Sequence, residues 1–355
     1  MDTLGNRDSQ CSRGPVLTRQ TLLRAGAGGL LAFMAGMKFK AAQADAGVKV
    51  GFILPDFDQL RWRNADFAGF ESEAKKLGLT YFNEASQASE TVQASQVENM
   101  LTRGVDVLIL TPVNGAAAAA LVRKANRAKV PVVDYNFLAL NADVACFIGR
   151  DAVQMAESIA QAAVKQAPSG NYILALGEES TSVAQEERKG YLNVLKPYVD
   201  SGKIQIVSEQ FNKGWSTESA RAQVENALTK VKNDVAAVIC ANDGTGYGAI
   251  QALQAQGLAG KVFVNGVDAE PRAQELIRQG LMTLSNFTDF WQSGVEAAGA
   301  AVKLAKGEKI DTGSVVNNGL KDVPWIKVIN FNVTKENIDE DAKKYPWWFA
   351  TSAIK

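Results

Sequence analysis

The chain has 355 residues and 46% apolar side chains, length for about two domains and apolar content for a sizeable core. Lysine plus arginine equals aspartate plus glutamate at 38 each, a balance that argues against a basic nucleic-acid face. Histidine is absent, which excludes Ser-His-Asp triads, Cys-His dyads and His-based zinc sites.

From the N-terminus, Arg19 and Arg24 precede an apolar run from Ala25 to Met37 that is too short to span a bilayer. Ala42-Gln43-Ala44 then supplies a small-x-small cleavage pattern. Residues 1–44 read as an export signal, of twin-arginine-like or Sec type, with Gln20 standing where a second arginine would complete the twin-arginine motif. The expected location is therefore the periplasm.

Beyond it, short apolar runs alternate with helical patterns. Strands are expected at 48–55, 79–85, 105–112, 130–136 and 144–149, then at 171–177, 204–211, 235–243, 261–268 and 281–287. Several are apolar without alternation, as strands buried on both faces of a parallel sheet read. The first intervening helix repeats Phe67, Phe70, Ala74 and Leu77 at helical spacing and stops at Gly78. Further helices are expected at 91–103, 115–128, 152–166, 183–195, 217–232, 245–256 and 270–279. The fold class is α/β, with two doubly wound parallel-sheet lobes that meet near Phe147-Ile148-Gly149. Cys146 and Cys240 sit in apolar runs and read as buried free thiols.

The enzyme motifs of this architecture are missing. No Gly-x-x-x-x-Gly-Lys-Ser/Thr or Gly-x-Ser-x-Gly occurs, and the glycines at 244, 246 and 248 do not have dinucleotide-site spacing. No catalytic residue, cofactor or metal is expected. The carboxyl ends of the strands, where ligands bind in such sheets, carry polar and aromatic groups instead. These are Asp56, Arg61 and Trp62, then Asn114, Asp134 and Asn136, and in the second series Arg188, Trp215, Asn242, Asp243 and Asp268. Planar Asp, Asn and Arg groups can engage vicinal hydroxyls in pairs, and an indole can cover the apolar C–H face of a sugar. Asp243 reads equally as a helix cap or a ligand contact.

These residues, together with Gln96-Val97-Glu98-Asn99-Met100, Pro112-Val113-Asn114-Gly115, the run 195–203 and Asn317-Asn318-Gly319-Leu320-Lys321-Asp322-Val323-Pro324, carry a family resemblance. Over residues 48–335 the chain resembles the periplasmic sugar-binding proteins of ABC transporters, with the type I fold, and within them the D-xylose-binding branch. The resemblance implies a ligand cleft between lobes joined by three hinge crossings. Residues 48–147 plus 286–314 would form the N-terminal lobe, 149–284 plus 320–340 the C-terminal lobe, and 341–355 a tail. It implies sugar contacts from Arg61, Trp62, Arg188, Trp215, Asn242 and Asp268. Two departures stand out: Asn136-Phe137 replaces a usual Asp-Arg pair, and Thr288 replaces a lysine. Without those two cations the expected ligand is a pentose-like monosaccharide or polyol other than the usual one, with Phe137 as an apolar wall. The implied protein is a monomer and not an enzyme; it delivers its ligand to an ABC permease or presents it to a membrane receptor. A transcriptional regulator would need a DNA-binding domain of about 60 residues ahead of the first strand, where the export signal lies.

Overall fold

The structure, a computed structural model, describes residues 47–349. The expected export signal, Cys11 and the last six residues lie outside them. The chain alternates strand and helix from β1 (Lys49–Leu54) through β2 (Thr80–Ala85), β3 (Val107–Leu110), β4 (Val132–Tyr135) and β5 (Cys146–Gly149). The second series is β6 (Gly170–Leu176), β7 (Ile204–Phe211), β8 (Ala237–Cys240), β9 (Phe263–Val267) and β10 (Leu284–Thr288). Every residue of β3, β4, β5, β8, β9 and β10 is buried, which is why those runs lack alternation. Cys146 and Cys240 are free and buried within β5 and β8.

The intervening helices are α1 (Ala68–Lys76), α2 (Glu90–Thr102), α3 (Ala118–Arg127), α4 (Ala152–Gln166), α5 (Ser182–Asp200), α6 (Thr217–Lys230), α7 (Asp243–Ala255) and α8 (Pro271–Arg278). Side chains placed at strand–helix junctions start many of them. Ser89, Asp151, Thr181, Ser216 and Asn242 each accept a backbone N–H of the first turn.

Further on, α9 (Phe290–Ala305), β11 (Val315–Asn317), β12 (Asp322–Lys327), β13 (Asn330–Thr334), α10 (Ile338–Lys344) and α11 (Pro346–Phe349) complete the described chain. Two sheets result, ordered β11-β12-β5-β4-β3-β1-β2 and β13-β10-β9-β8-β6-β7. Both are parallel except at one edge, where β11 runs antiparallel to β12 and β13 to β10. The chain passes between sheets three times: from β5 into α4, from β10 into α9, and from β12 into β13.

The crossings fall later than the expected lobe boundaries. β10 pairs with β9 in the second sheet, so the return to the first lobe comes at Asp289 and not at 286. β12 pairs with β5, so residues 320–327 belong to the first lobe, and the last crossing is at 328–329. Nor do residues 341–349 form a tail. Tyr345 and Phe349 pack on Phe287 of β10, with ring centroids at 4.7 and 5.3 Å.

Candidate functional site

The first-lobe half of the site grows from the end of β1. Asp56 Oδ1 accepts the N–H groups of Asp58 and Gln59 at 3.0 and 3.1 Å and folds the chain back toward the sheet. A π-helical turn, Trp62–Phe67, then leads into α1. This wide turn, a form that recurs at functional sites, puts Arg61 against Asp66. Nε and Nη2 of Arg61 donate to the two Asp66 oxygens at 3.1 and 2.9 Å, and the Tyr135 hydroxyl donates to the same carboxylate at 2.8 Å. The guanidinium lies between the rings of Trp62 and Phe290, 3.9 and 3.2 Å from their centroids. Burial works against the Arg61 charge, but Asp66 and Asp268 outweigh it and hold the group above its usual range. Trp62 is buried and meets Phe137 edge to face at 5.9 Å.

The second-lobe half comes from the ends of β6, β7, β8 and β9. Trp215 lies against Gly177, where any Cβ would fall inside the indole ring. Asn242 caps α7 through Oδ1, which accepts the Thr245 N–H at 2.8 Å. Asp268 follows β9 with its peptide held at both ends. Its N–H donates to Asn286 O at 2.7 Å, and its carbonyl accepts Trp348 Nε1–H at 3.0 Å. Asp268, Trp215 and Asn136 have φ of 101°, 57° and 61°, left-handed conformations that non-glycine residues adopt at a cost of about 1–3 kcal/mol each. Asp268 and Trp215 line the cleft and Asn136 precedes Phe137, which also does, so the backbone at the site is held by its surroundings.

Two neighbouring chambers lie between the halves, sharing Gln59, Trp62, Phe137 and Trp215 in their walls. The outer, of about 490 Å³, is lined by Asp56, Gln59, Trp62, Phe137, Glu178 and Trp215 among others. The inner, of about 20 Å³, is lined by Arg61, Trp62, Phe137, Arg150, Asn242 and Asp268, with Gln59, Val183, Trp215 and Ala241. Several buried polar atoms there have no hydrogen-bond partner among the described residues: Trp62 Nε1, Arg150 Nε and Nη1, and Asp268 Oδ1. Glu187 Oε2, on the carboxylate behind Arg150, is likewise unmatched. Asp268 Oδ1 stands 3.6 Å from Arg61 Nη1 and 3.7 Å from Arg150 Nη1, close enough to attract but too far to hydrogen-bond. Each unmatched buried group costs about 1–3 kcal/mol, so their convergence marks a place for polar ligand atoms.

Of the residues singled out in the sequence, the fold brings Arg61, Trp62, Phe137, Trp215, Asn242 and Asp268 to the inner chamber, and Asp56 to the outer one. Asn114 instead shapes the turn ahead of α3, its Oδ1 accepting from Ala116 and Ala117 N–H, and lines a separate groove between α2 and α3. Asn136 and Thr288 are buried near the cleft but line neither chamber. Asp243 acts in the fold: its carboxylate accepts Ser285 Oγ–H and Glu270 N–H, both at 2.6 Å. Arg188 is the main correction, because its side chain is 39% exposed and pairs with Glu209 on the surface. Its neighbour Glu187 faces inward and meets Arg150 Nη2 at 3.3 Å.

Arg150 is the residue the sequence reading missed. It directly follows β5, at the same carboxyl edge as the other contacts, and a scan of every strand end would have found it. Burial pushes the Glu187 carboxyl up to about 8, against the pull of Arg150.

A cleft between two parallel-sheet lobes, crossed three times by the chain and lined by unmatched polar groups and indoles, defines a two-lobed binding protein. The chain belongs to the periplasmic binding protein family, whose domain model matches residues 50–309. It is 39% identical over 297 residues to the D-xylose-binding periplasmic protein of Escherichia coli K12, covering 84% of this chain and 90% of that one. It is 25% identical over 325 residues to a xylitol-binding protein of Mycolicibacterium smegmatis, covering 90% and 88%. Among solved structures it is similar to a carbohydrate transporter solute-binding protein of Chloroflexus aurantiacus in complex with D-glucose. That match has a TM-score of 0.79 and 27% identity, covering 85% of this chain and 97% of that one. Among the described residues no helix is long and apolar enough to cross a membrane.

Proposed function

We propose that the protein is a periplasmic solute-binding component of a carbohydrate ABC transporter, which takes up a pentose-like monosaccharide or a polyol and hands it to the permease. The observation that carries this reading is the inner chamber. It sets unmatched donors of Arg150 and Trp62 beside an unmatched Asp268 oxygen, with the apolar rings of Phe137 and Trp215 around them. A hydroxylated ring supplies both acceptors and donors to such a set, and its C–H face suits the aromatic walls. The inner chamber holds roughly one water molecule, so a sugar enters only when the lobes part, and binding is coupled to closure. D-Xylose is the ligand named for one relative. The replacement of that branch's usual cations by Phe137 and Thr288, which the resemblance implies, favours a different sugar or a polyol. Arg150 returns one cation to the chamber from another position.

Thermal shift and tryptophan fluorescence with D-xylose, D-ribose, D-glucose, xylitol and myo-inositol test the reading. A ligand at about 100 times its Kd adds roughly 2.7 kcal/mol, so the melting temperature should rise by several degrees for at least one compound. Emission should change with it, because Trp62 and Trp215 line the chamber. No response to any pentose, hexose or polyol at millimolar concentration would overturn the assignment.

A further inference from the structure

Arg150 reaches the inner chamber from a position no other lining residue shares. It stands at the first crossing, between the last residue of β5 and Asp151, which caps α4. Its side chain is 5% exposed and anchored at one point, where Nη2 donates to Glu187 Oε1 at 3.3 Å. Nε and Nη1 have no hydrogen-bond partner among the described residues. Arg61 differs: its Nε and Nη2 are both committed to Asp66.

Packing alone does not account for this arrangement. A buried Arg–Glu pair adds little stability over apolar side chains of similar size, and unmatched guanidinium donors subtract from it. What the arrangement does supply is a charged donor 3.7 Å from a charged acceptor, Asp268 Oδ1, each with hydrogen-bonding capacity to spare. Neighbouring hydroxyls of a polyhydroxylated ring have the matching requirement. One oxygen accepts from the guanidinium while the adjacent O–H donates to the carboxylate.

We infer that Arg150 is a ligand-binding and specificity-determining residue that, with Asp268, clasps a vicinal diol of the ligand, and that Glu187 is a positioning residue holding the guanidinium in place. The inference rests on the sugar-binding reading above. It adds that one decisive contact is made by the crossing itself, and that the favoured ligands carry free adjacent hydroxyls at that point.

The test is calorimetric titration of the full chain with D-xylose, D-ribose, D-glucose, xylitol and myo-inositol, and with monodeoxy analogues of each. It compares the unsubstituted protein with Arg150→Met, Glu187→Gln and the double variant. The double variant removes the buried guanidinium and alters its partner carboxyl together, so the measurement stands even if Arg150→Met alone folds poorly. Arg150→Met and the double variant should weaken the best ligand by about 10- to 100-fold, the worth of a charge-assisted hydrogen bond. The loss should vanish for the one deoxy analogue that lacks the hydroxyl facing Arg150. Glu187→Gln should weaken the same hydroxyl-dependent set by a smaller factor. If both Arg150 variants bind the parent ligand with unchanged affinity, the inference is wrong while the sugar-binding reading stands. It is equally wrong if they weaken every analogue by the same factor, as loss of a purely structural residue would. If the unsubstituted protein binds none of the compounds, both fall together.

Discussion

At the scale of single residues, burial sets the chemistry of the carboxyls Asp134 and Glu187. Asp134, at the end of β4, is fully buried; one oxygen accepts Ala139 N–H at 2.6 Å and the other has no partner among the described residues. Burial pushes its carboxyl up to about 8, whereas in the unfolded chain it titrates near about 4. Between those values the native protein keeps a proton that the unfolded chain releases. The contribution to stability is therefore complete at acid pH and is lost as pH rises toward about 8. Glu187 acts in the same direction. The melting temperature should accordingly fall from about pH 5 to about pH 8, and Asp134→Asn should flatten that slope and melt higher than the unsubstituted protein at the upper end. Equal slopes for the two proteins would rule out Asp134 as the source. The same scale explains which site residues were legible in the sequence. Asp268 could be found because it directly follows β9, and Arg61 and Trp62 because they close the loop that leads out of β1. Arg188 could not be placed, because adjacent helical residues point about 100° apart. Without the rotation of α5, nothing distinguishes an inward Arg188 from the inward Glu187 that the fold contains.

At the scale of elements, the least legible parts of the sequence are those that finish the structure. The buried face of α9 is mostly Ser293, Gly294, Ala297, Ala298, Ala300 and Ala301, small side chains that leave little hydrophobic stripe to read. They are small because α1 lies against them: a Cβ at Gly294 would strike the Asp66 carbonyl and the Phe70 backbone. β11 is three residues with no buried position, and β12 contains Pro324, so neither looks like a core strand. Most of the ten earlier strands were legible because continuous Val- and Ile-rich runs between helices have few other readings; β2 and β10, with neither residue, rested on their place in the alternation. The C-terminal α11 joins this late group to the site. Trp348 is 4% exposed, and its Nε1–H bond holds the Asp268 carbonyl. Trp348→Ala should cost about 3–5 kcal/mol in urea unfolding. Trp348→Phe keeps most of the packing and should cost about 1 kcal/mol, yet it should still weaken ligand binding, because Asp268 loses one of its two backbone restraints. Unchanged affinity in Trp348→Phe would show that Asp268 needs no such support.

At the scale of the whole molecule, the lobes touch through a few bonds that do not involve the chambers' charged groups. Leu138 N–H donates to Ser182 Oγ at 2.7 Å, Ser180 Oγ–H to Val113 O at 3.0 Å, and Gly115 N–H to Ser180 O at 3.0 Å. A ligand that bridges the lobes draws the population toward a closed arrangement like this one but wider at the inner chamber, in proportion to its preference for it. X-ray scattering should show a smaller radius of gyration on saturation with ligand. Ser182→Ala removes one closing bond, and ligand affinity should fall by about fivefold if that bond contributes ~1 kcal/mol. An unaltered affinity would mean that closure does not depend on this contact.

The pairing of β12 with β5 has a further consequence, for the order in which the molecule assembles. Trp325 Nε1 donates to the carbonyl of Gly149, 176 positions earlier in the chain. The edge of the first sheet therefore waits for residues made after nearly all of the second lobe. Closing so long a loop is entropically costly, and contacts of this range slow folding. Neither lobe is a contiguous piece of chain, so neither can be completed by the chain's first half. The nascent polypeptide must remain incompletely folded until residues 322–327 have been made.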